Sequence, residues 1–279
     1  MKLISLDNTK TIKGEKKGYI TGILYLAPNI ESKVINVCPM AKVAGCDVGC
    51  LYSAGRGKFN NVRNARIRKT VLFYEKPNEF LNEIANDIFS LIRKAERGNK
   101  IPLIRLNGTS DILWERKSFI LNEEVAVKIR KEPGKYKNIM ELYPEINFYD
   151  YTKIAARENL PENYDLTFSY SGTPAFQKEV NKALSKNMRM AVVFRTKEII
   201  PETFLGKRVI NGDDTDLRPL EPQGVIISLF AKGDAKKDKS GFVVDINPDE
   251  QRNKMEMVIE RDKKMKTKKT TDNNNKTKH

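Results

Sequence analysis

Three cysteines are the residues of this chain whose type and spacing most clearly suggest chemistry. Cys38, Cys46 and Cys50 fall within thirteen positions, and the rest of the 279 residues contain no other cysteine. The only histidine is His279, so a Ser-His-Asp triad, a Cys-His pair or a zinc finger with paired histidines is excluded. What remains is a three-thiol site with one ligand position open, or three thiols with another purpose.

The three-cysteine loop admits three interpretations. Gly45 and Gly49 each precede a cysteine and permit the tight turns that wrap thiolates around a metal. A structural zinc normally takes four protein ligands, so it would need a further residue such as Asp47. A [4Fe–4S] cluster held by three cysteines instead leaves one iron open for a substrate or cofactor. Three ordinary buried thiols are the third interpretation.

The composition indicates a basic protein that folds in water. Charged residues make up 31% of the chain, hydrophobic residues 39%, and the formal net charge is +15. No stretch approaches the roughly 20 apolar residues of a membrane span. The N-terminus lacks a secretion signal, so we expect a cytoplasmic protein without a membrane partner. The positive charge favours a nucleic acid or a phosphorylated small molecule as partner.

The chain divides into one folded domain and a tail. Residues 1–250 are predicted to form a single α/β domain that carries the cysteine loop. Residues 251–279 are rich in lysine and asparagine and show no apolar period. This composition predicts a disordered, basic, low-complexity tail.

Short apolar strands alternate with helices along the predicted domain. Helices are predicted over residues 61–75, 78–98 and 174–185, with a shorter one over residues 201–205. Strands are predicted over residues 19–26, 33–37, 102–106, 146–149, 164–168, 190–194 and 224–230. About six strand–helix units behind N-terminal strands predict a partial (βα)6 TIM-like barrel.

Polar side chains follow the carboxyl ends of four predicted strands, and Arg195, Thr196 and Lys197 follow the last of these. In α/β folds these ends form the ligand crevice, so we expect the loops to converge on one face. Exposed loops are also polar without any function. The residues concerned are Asn107, Gly108, Thr109, Ser110 and Asp111 after one strand, Tyr151 and Lys153 after the next, and Ser169 after the third.

A glycine- and arginine-rich stretch follows the cysteines and leads into a predicted helix. Arg56, Lys58, Arg63 and Arg66 are its candidate nucleic-acid or phosphate-binding residues. Glycines, cations and a helix N-terminus together can form an anion site. The stretch is not a Walker loop, and a solvated basic helix face is the alternative interpretation.

Several segments in order resemble a family of bacteriophage and plasmid proteins with a Cys-Pro…Cys…Cys-x-Tyr loop. They are CPMAKVAGCDVGCLYSAGRGKFNNVRNARIRKT, LIRLNGTSD, INFYDYTK and YDLTFSYSG, within residues 15–200. This resemblance implies an origin rather than a reaction. A phage-encoded protein would be found in the cytoplasm of the host cell. More distantly, the layout is similar to radical S-adenosylmethionine enzymes. Their loop has the form Cys-x3-Cys-x2-Cys, from which both spacings here depart.

The radical-enzyme resemblance implies a role for each candidate residue. Cys38, Cys46 and Cys50 would hold a [4Fe–4S] cluster, whose open iron chelates S-adenosylmethionine. The loop residues Asn107, Gly108, Thr109 and Ser110 would bind that cofactor. The catalytic positions facing the substrate would be Asp111, Tyr151, Lys153 and Ser169.

Two functions from different classes follow. The first is a phage-type iron–sulfur enzyme, similar to radical S-adenosylmethionine enzymes and acting on a nucleotide or nucleic acid. The alternative is a non-enzymatic nucleic-acid-binding protein with a structural zinc in the cysteine loop. The identity of the metal distinguishes the two hypotheses.

Overall fold

A nine-stranded sheet organises the chain, and a separate two-stranded sheet accompanies it. The computed structural model describes residues 1–6, 9–47, 49–50, 55–197 and 200–246. The predicted disordered tail at residues 251–279 lies outside the described residues.

The helices and strands alternate irregularly along the described chain. The strands are β1 (Ile4–Ser5), β2 (Tyr19–Leu24), β3 (Ile101–Arg105), β4 (Phe119–Leu121), β5 (Gly134–Tyr136), β6 (Asn147–Thr152), β7 (Tyr164–Ser169), β8 (Met190–Phe194), β9 (Thr203–Phe204), β10 (Lys207–Asn211) and β11 (Ile226–Phe230). The helices are α1 (Thr9–Glu15), α2 (Asn60–Glu75), α3 (Pro77–Arg97), α4 (Glu123–Ile129), α5 (Ile139–Leu142) and α6 (Gln177–Ser185).

The large sheet is parallel in its interior and antiparallel at both edges. Its order is β1-β2-β3-β6-β7-β8-β11-β10-β9. All pairs from β2 through to β10 are parallel. The edge strands β1 and β9 run antiparallel to β2 and β10. The interior strands therefore end in loops on the same side of the sheet.

The predicted partial (βα)6 TIM-like barrel is wrong, although the structure is an α/β mixture. The sheet is mixed and open, since β1 and β9 do not pair with each other in the described chain. Strand β11 inserts between β8 and β10, and the residues between β6 and β7, all described, contain no helix. Apolar strands look alike in an open sheet and a barrel because both bury the two faces of parallel strands.

Two predicted elements differ in the structure. Residues 33–37 form a turn instead of a strand, because Lys33 has a φ of 63° and cannot continue an extended chain. The Val37 N–H donates to the Asn29 carbonyl at 3.2 Å and closes this turn. Residues 201–205 contain the short strand β9 instead of a helix, and Leu205 and Gly206 turn the chain into β10 with positive φ angles.

Helix α3 supplies much of the apolar packing on the sheet. Pro77 at its first turn and Gly98 after its last residue define its ends. Its buried side chains recur at helical spacing, which places them on one face: Phe80, Leu81, Ile84, Ala85, Ile88, Leu91 and Ala95. Among the helices of the described chain, none is long and apolar enough to cross a membrane.

Candidate cysteine-lined site

A pocket of about 890 Å³ opens at the carboxyl ends of the interior strands. Its size is within the range of small-molecule sites. The structure places thirteen of the fifteen predicted site residues in its lining: Cys38, Cys46, Cys50, Arg56, Arg66, Asn107, Gly108, Thr109, Ser110, Asp111, Tyr151, Lys153 and Ser169. Loops that are far apart in sequence therefore meet at one site.

The remaining two predicted residues lie away from the pocket. Lys58 is exposed at the end of the 3-10 turn Gly55–Lys58. Arg63 is on the exposed face of α2, where its guanidinium forms an ion pair with Glu31. The four predicted phosphate-binding cations therefore do not lie at one site. Of the four, only Arg56 and Arg66 line the pocket.

The three cysteines are half-buried, and none of them forms a disulfide within the described part of the chain. The Cys38 thiol donates to the Thr109 carbonyl, and the Cys46 thiol donates to the Ala41 carbonyl, each at 3.6 Å. Burial raises the pKa of Cys38 to about 12 and also raises that of Cys46. Without a metal the two thiols are therefore neutral at pH 7, and a bound metal would have to displace their protons.

The three thiols could bind a single zinc ion or a cluster of four irons, and these two metal groups need different arrangements of the sulfur atoms. Within the described residues, no three His, Cys, Asp or Glu side chains are grouped so as to hold one metal ion. A single zinc draws its sulfurs to about 2.3 Å from one centre. A cluster of four irons spreads its cysteine ligands over several metal atoms and separates their sulfurs further. The three thiols share the lining of one pocket.

Lys153 brings a positive charge to the cysteines. It is buried, and its Nζ donates to the carbonyl and hydroxyl of Ser169 at 3.2 Å and to the Tyr170 carbonyl at 3.5 Å. Burial lowers the pKa of Lys153, whereas the nearby cysteines and Asp111 raise it. An ammonium in this position would stabilise thiolates in the pocket.

Asp111 connects the loop after β3 to the loop after β6. Its Oδ2 accepts from the Lys153 backbone N–H at 2.8 Å, and its Oδ1 lies 3.8 Å from Nη1 of Arg157. Burial raises the pKa of this carboxyl group. Its hydrogen bond to the Lys153 backbone makes Asp111 a positioning residue, in addition to its place in the pocket wall.

Asn107 organises its own loop. Its Oδ1 accepts from the Ser110 hydroxyl at 2.8 Å and from Ile112 N–H and Trp114 Nε1 at 3.0 Å each. Its Nδ2 donates to the Ile112 carbonyl at 3.0 Å. The side chain is 2% exposed. These bonds occupy the Asn107 side chain, so they support a structural role in place of the predicted contact with a cofactor.

Replacing Asn107 with alanine is expected to lower the free energy of unfolding by about 2–3 kcal/mol. The reason is that the indole N–H of Trp114 and the N–H of Ile112 are left buried without an acceptor. Urea denaturation measures this effect. Asn64→Ala, an exposed position on α2, is the control and should change stability by less than about 0.5 kcal/mol. Equal effects in the two variants would contradict the structural role.

The two residues after Asn107 are held against β2 and its continuation. A Cβ on Gly108 would lie 2.6 Å from the Leu24 carbonyl oxygen, so only glycine fits there. The Thr109 hydroxyl donates to the Leu26 carbonyl at 2.6 Å, and its own carbonyl accepts the Cys38 thiol. The loop therefore offers the pocket backbone atoms and the half-buried Ser110 hydroxyl.

The chain matches the gene product 88 family over residues 2–246. It belongs to that family. The match fits the resemblance to phage-type proteins, and it gives no support to the more distant resemblance to radical S-adenosylmethionine enzymes. No curated protein and no solved structure matches the chain.

The gene product 88 match covers every residue that lines the pocket, from Ser5 to Phe242. The pocket therefore lies entirely within the part of the chain that defines family membership. Residues 247–279 extend beyond the match.

One pocket residue of this gene product 88 protein that sequence reasoning missed is Asp216. It accepts from Arg105 Nη1 and from the Tyr151 hydroxyl, each at 2.9 Å, and from the Tyr149 hydroxyl at 3.3 Å. Asp216 thereby positions both Arg105 and the predicted catalytic residue Tyr151. The available signal was Arg105, a cation at the end of an apolar strand, which needs a partner when buried.

Proposed function

We propose that the protein is an iron–sulfur enzyme in which Cys38, Cys46 and Cys50 hold a [4Fe–4S] cluster with one open iron. The observation that carries this proposal is the placement of all three thiols in the lining of one pocket. A cluster with three cysteine ligands leaves room for a cofactor on the fourth iron. The pocket volume of about 890 Å³ accommodates both.

S-adenosylmethionine is the proposed cofactor, and a nucleotide or nucleic acid is the proposed substrate. When bound, the cluster would pass one electron from an external reductant to the cofactor and start radical chemistry. The Ser110 hydroxyl and the backbone of Gly108 would bind the cofactor. Tyr151 and Ser169 would orient the substrate, and Lys153 would balance the charge of the thiolates. This proposal rests on the donor set and the pocket and draws nothing from a barrel fold.

The alternative is a nucleic-acid-binding protein with a structural zinc. The exposed cations Lys58 and Arg63, which lie outside the pocket, favour it because surface cations contact nucleic-acid backbones. The number of thiols in the pocket lining favours the cluster, since three cysteines can hold a [4Fe–4S] centre whereas a structural zinc takes four protein ligands. We therefore place the iron–sulfur enzyme first.

Protein purified without oxygen tests the proposal. We expect about four irons and four sulfides per chain, with a broad visible absorption that fades on reduction with dithionite. Adding S-adenosylmethionine to the reduced protein should then release 5′-deoxyadenosine, detected by chromatography. One zinc per chain, or no metal, would overturn the cluster. If the protein contains the cluster but does not cleave S-adenosylmethionine, only the proposed cofactor would be wrong.

A further inference from the structure

We infer that Arg66, together with Arg56, binds the phosphate group of a phosphorylated small molecule in the cysteine-lined pocket. This inference names the substrate class of the proposed function, and it rests on that function only because it treats the bound molecule as a substrate. The described side chains form the anion site, so the site does not depend on whether the cysteines hold a cluster.

The pocket wall carries more positive than negative side chains. Three aspartates line it, against six cations: Arg56, Arg66, Lys69, Arg105, Lys153 and Lys232. Such an excess attracts anions and concentrates them in a cleft with low-dielectric walls. A phosphate dianion compensates this excess of positive charge better than a singly charged carboxylate does.

Four of these cations have partners in the protein. Arg105 pairs with Asp216 at 2.9 Å, and Lys232 pairs with Asp213 at 3.1 Å. The Lys69 ammonium donates to the Leu3 carbonyl at 2.5 Å. The ammonium of Lys153 is held by carbonyl and hydroxyl oxygens at the end of β7. These four cations are therefore engaged in holding the pocket together.

Arg66 differs from these four. Its guanidinium carbon lies 5.0 Å from the centre of the Tyr25 ring, so the ring supports one face of the group. Its Nε and Nη1 are buried, and neither has a hydrogen-bond partner in the described part of the chain. Burial lowers the pKa of Arg66, yet an arginine stays charged at pH 7. A charged donor pair without an acceptor is costly, and a bound anion would offset that cost.

The form and position of Arg66 indicate what it binds. Two N–H donors of one guanidinium match two oxygens of a phosphate in a bidentate contact. Arg66 lies on α2 and lines the same pocket as the cysteines, so the anion would bind inside this pocket. Arg56, on the 3-10 turn Gly55–Lys58, adds a second cation to the same pocket.

Binding of inorganic pyrophosphate to the full chain tests the inference. Its dissociation constant would be measured by ³¹P NMR titration for wild type, Arg66→Gln, Arg66→Lys and Arg68→Gln. Arg68 is exposed on the same helix and outside the pocket lining, so Arg68→Gln is a control with the same loss of charge. Malonate, a dicarboxylate, tests whether the site prefers phosphate over carboxylate.

We expect Arg66→Gln to raise the dissociation constant at least about tenfold, and Arg66→Lys to raise it less. The control Arg68→Gln should stay within about twofold. The melting temperature of Arg66→Gln without ligand should equal or exceed that of wild type, because the variant removes two buried guanidinium nitrogens that have no hydrogen-bond partner in the described part of the chain.

Three results would overturn the inference. They are no pyrophosphate binding by wild type, an equal loss of affinity in Arg66→Gln and Arg68→Gln, and malonate binding as tightly as pyrophosphate. If Arg66→Gln fails to fold, the Arg66→Lys variant carries the comparison with Arg68→Gln. Iron content, measured on the same samples, reports separately on the proposed function, since loss of iron without loss of pyrophosphate affinity concerns the cluster alone.

Discussion

Replacing Cys46 with serine is expected to yield a folded protein that cannot hold the proposed [4Fe–4S] cluster. A serine hydroxyl is not a thiolate ligand, so the iron content should fall from about four atoms per chain to below about one. The fold should persist because Cys46 is a half-buried, free thiol at the margin of two apolar clusters, and serine has nearly the same size. Iron and sulfide analysis with the visible spectrum measures the loss, and circular dichroism verifies the fold.

Val43→Ser is the matched control for this substitution. Val43 lies in the same loop, its side chain is 38% exposed, and only its backbone carbonyl is bonded, to the Thr173 hydroxyl. It should retain the iron content of wild type. Cys46→Ser with a full complement of iron would refute the three-cysteine ligand set, and an equal loss in Val43→Ser would show that the loop simply fails to fold.

Arg157→Met is expected to lower the free energy of unfolding by about 3–5 kcal/mol, the largest stability effect that we predict. Arg157 holds Glu115 through two bonds, Nε to Oε1 at 3.1 Å and Nη2 to Oε2 at 2.5 Å. It also donates to the Tyr164 hydroxyl at 3.1 Å. Both charged side chains are at most 2% exposed, so the substitution leaves a buried carboxylate without its partner. Urea denaturation followed by circular dichroism measures the change.

Two further variants make this prediction specific. Arg116→Met, at an exposed arginine next to Glu115 in sequence, should change stability by less than about 0.5 kcal/mol. The double variant Arg157→Met, Glu115→Leu should recover most of the loss, because the carboxylate of Glu115 is then no longer buried without its partner. A single Arg157 variant as stable as the Arg116 control would show that the buried pair contributes nothing to the fold.

The same arginine links stability to the pocket. Arg157 lies 3.8 Å from Asp111, and Asp111 holds the backbone N–H of Lys153 beside the cysteines. Loss of the Arg157 charge would therefore weaken the contact that joins the loops after β3 and β6. The arrangement of the pocket loops therefore depends on the buried ion pair between Arg157 and Glu115.

The amino-acid sequence by itself determined most of the local elements and thirteen of the residues that line the pocket. Strand β8 occupies residues 190–194, as predicted, and α3 starts within one residue of its predicted position, because Pro77 and Gly98 act through local backbone geometry. The clustering of three cysteines and the polar loops after strands were likewise visible in the sequence. Parallel strands place such loops on one edge, which is why thirteen predicted residues share the pocket.

Tertiary structure alone decided how the strands are ordered and which polar groups are partners. The apolar pattern of a strand does not specify its neighbours, so the insertion of β11 between β8 and β10 was not visible in the sequence. Asp216 binds Arg105 across 111 positions of the chain. Arg63 and Arg66 look alike in the sequence, yet one pairs with Glu31 at the surface and the other faces the pocket. Charge and periodicity are properties of the chain, whereas partners depend on contacts between distant segments, which form only when the sheet is assembled.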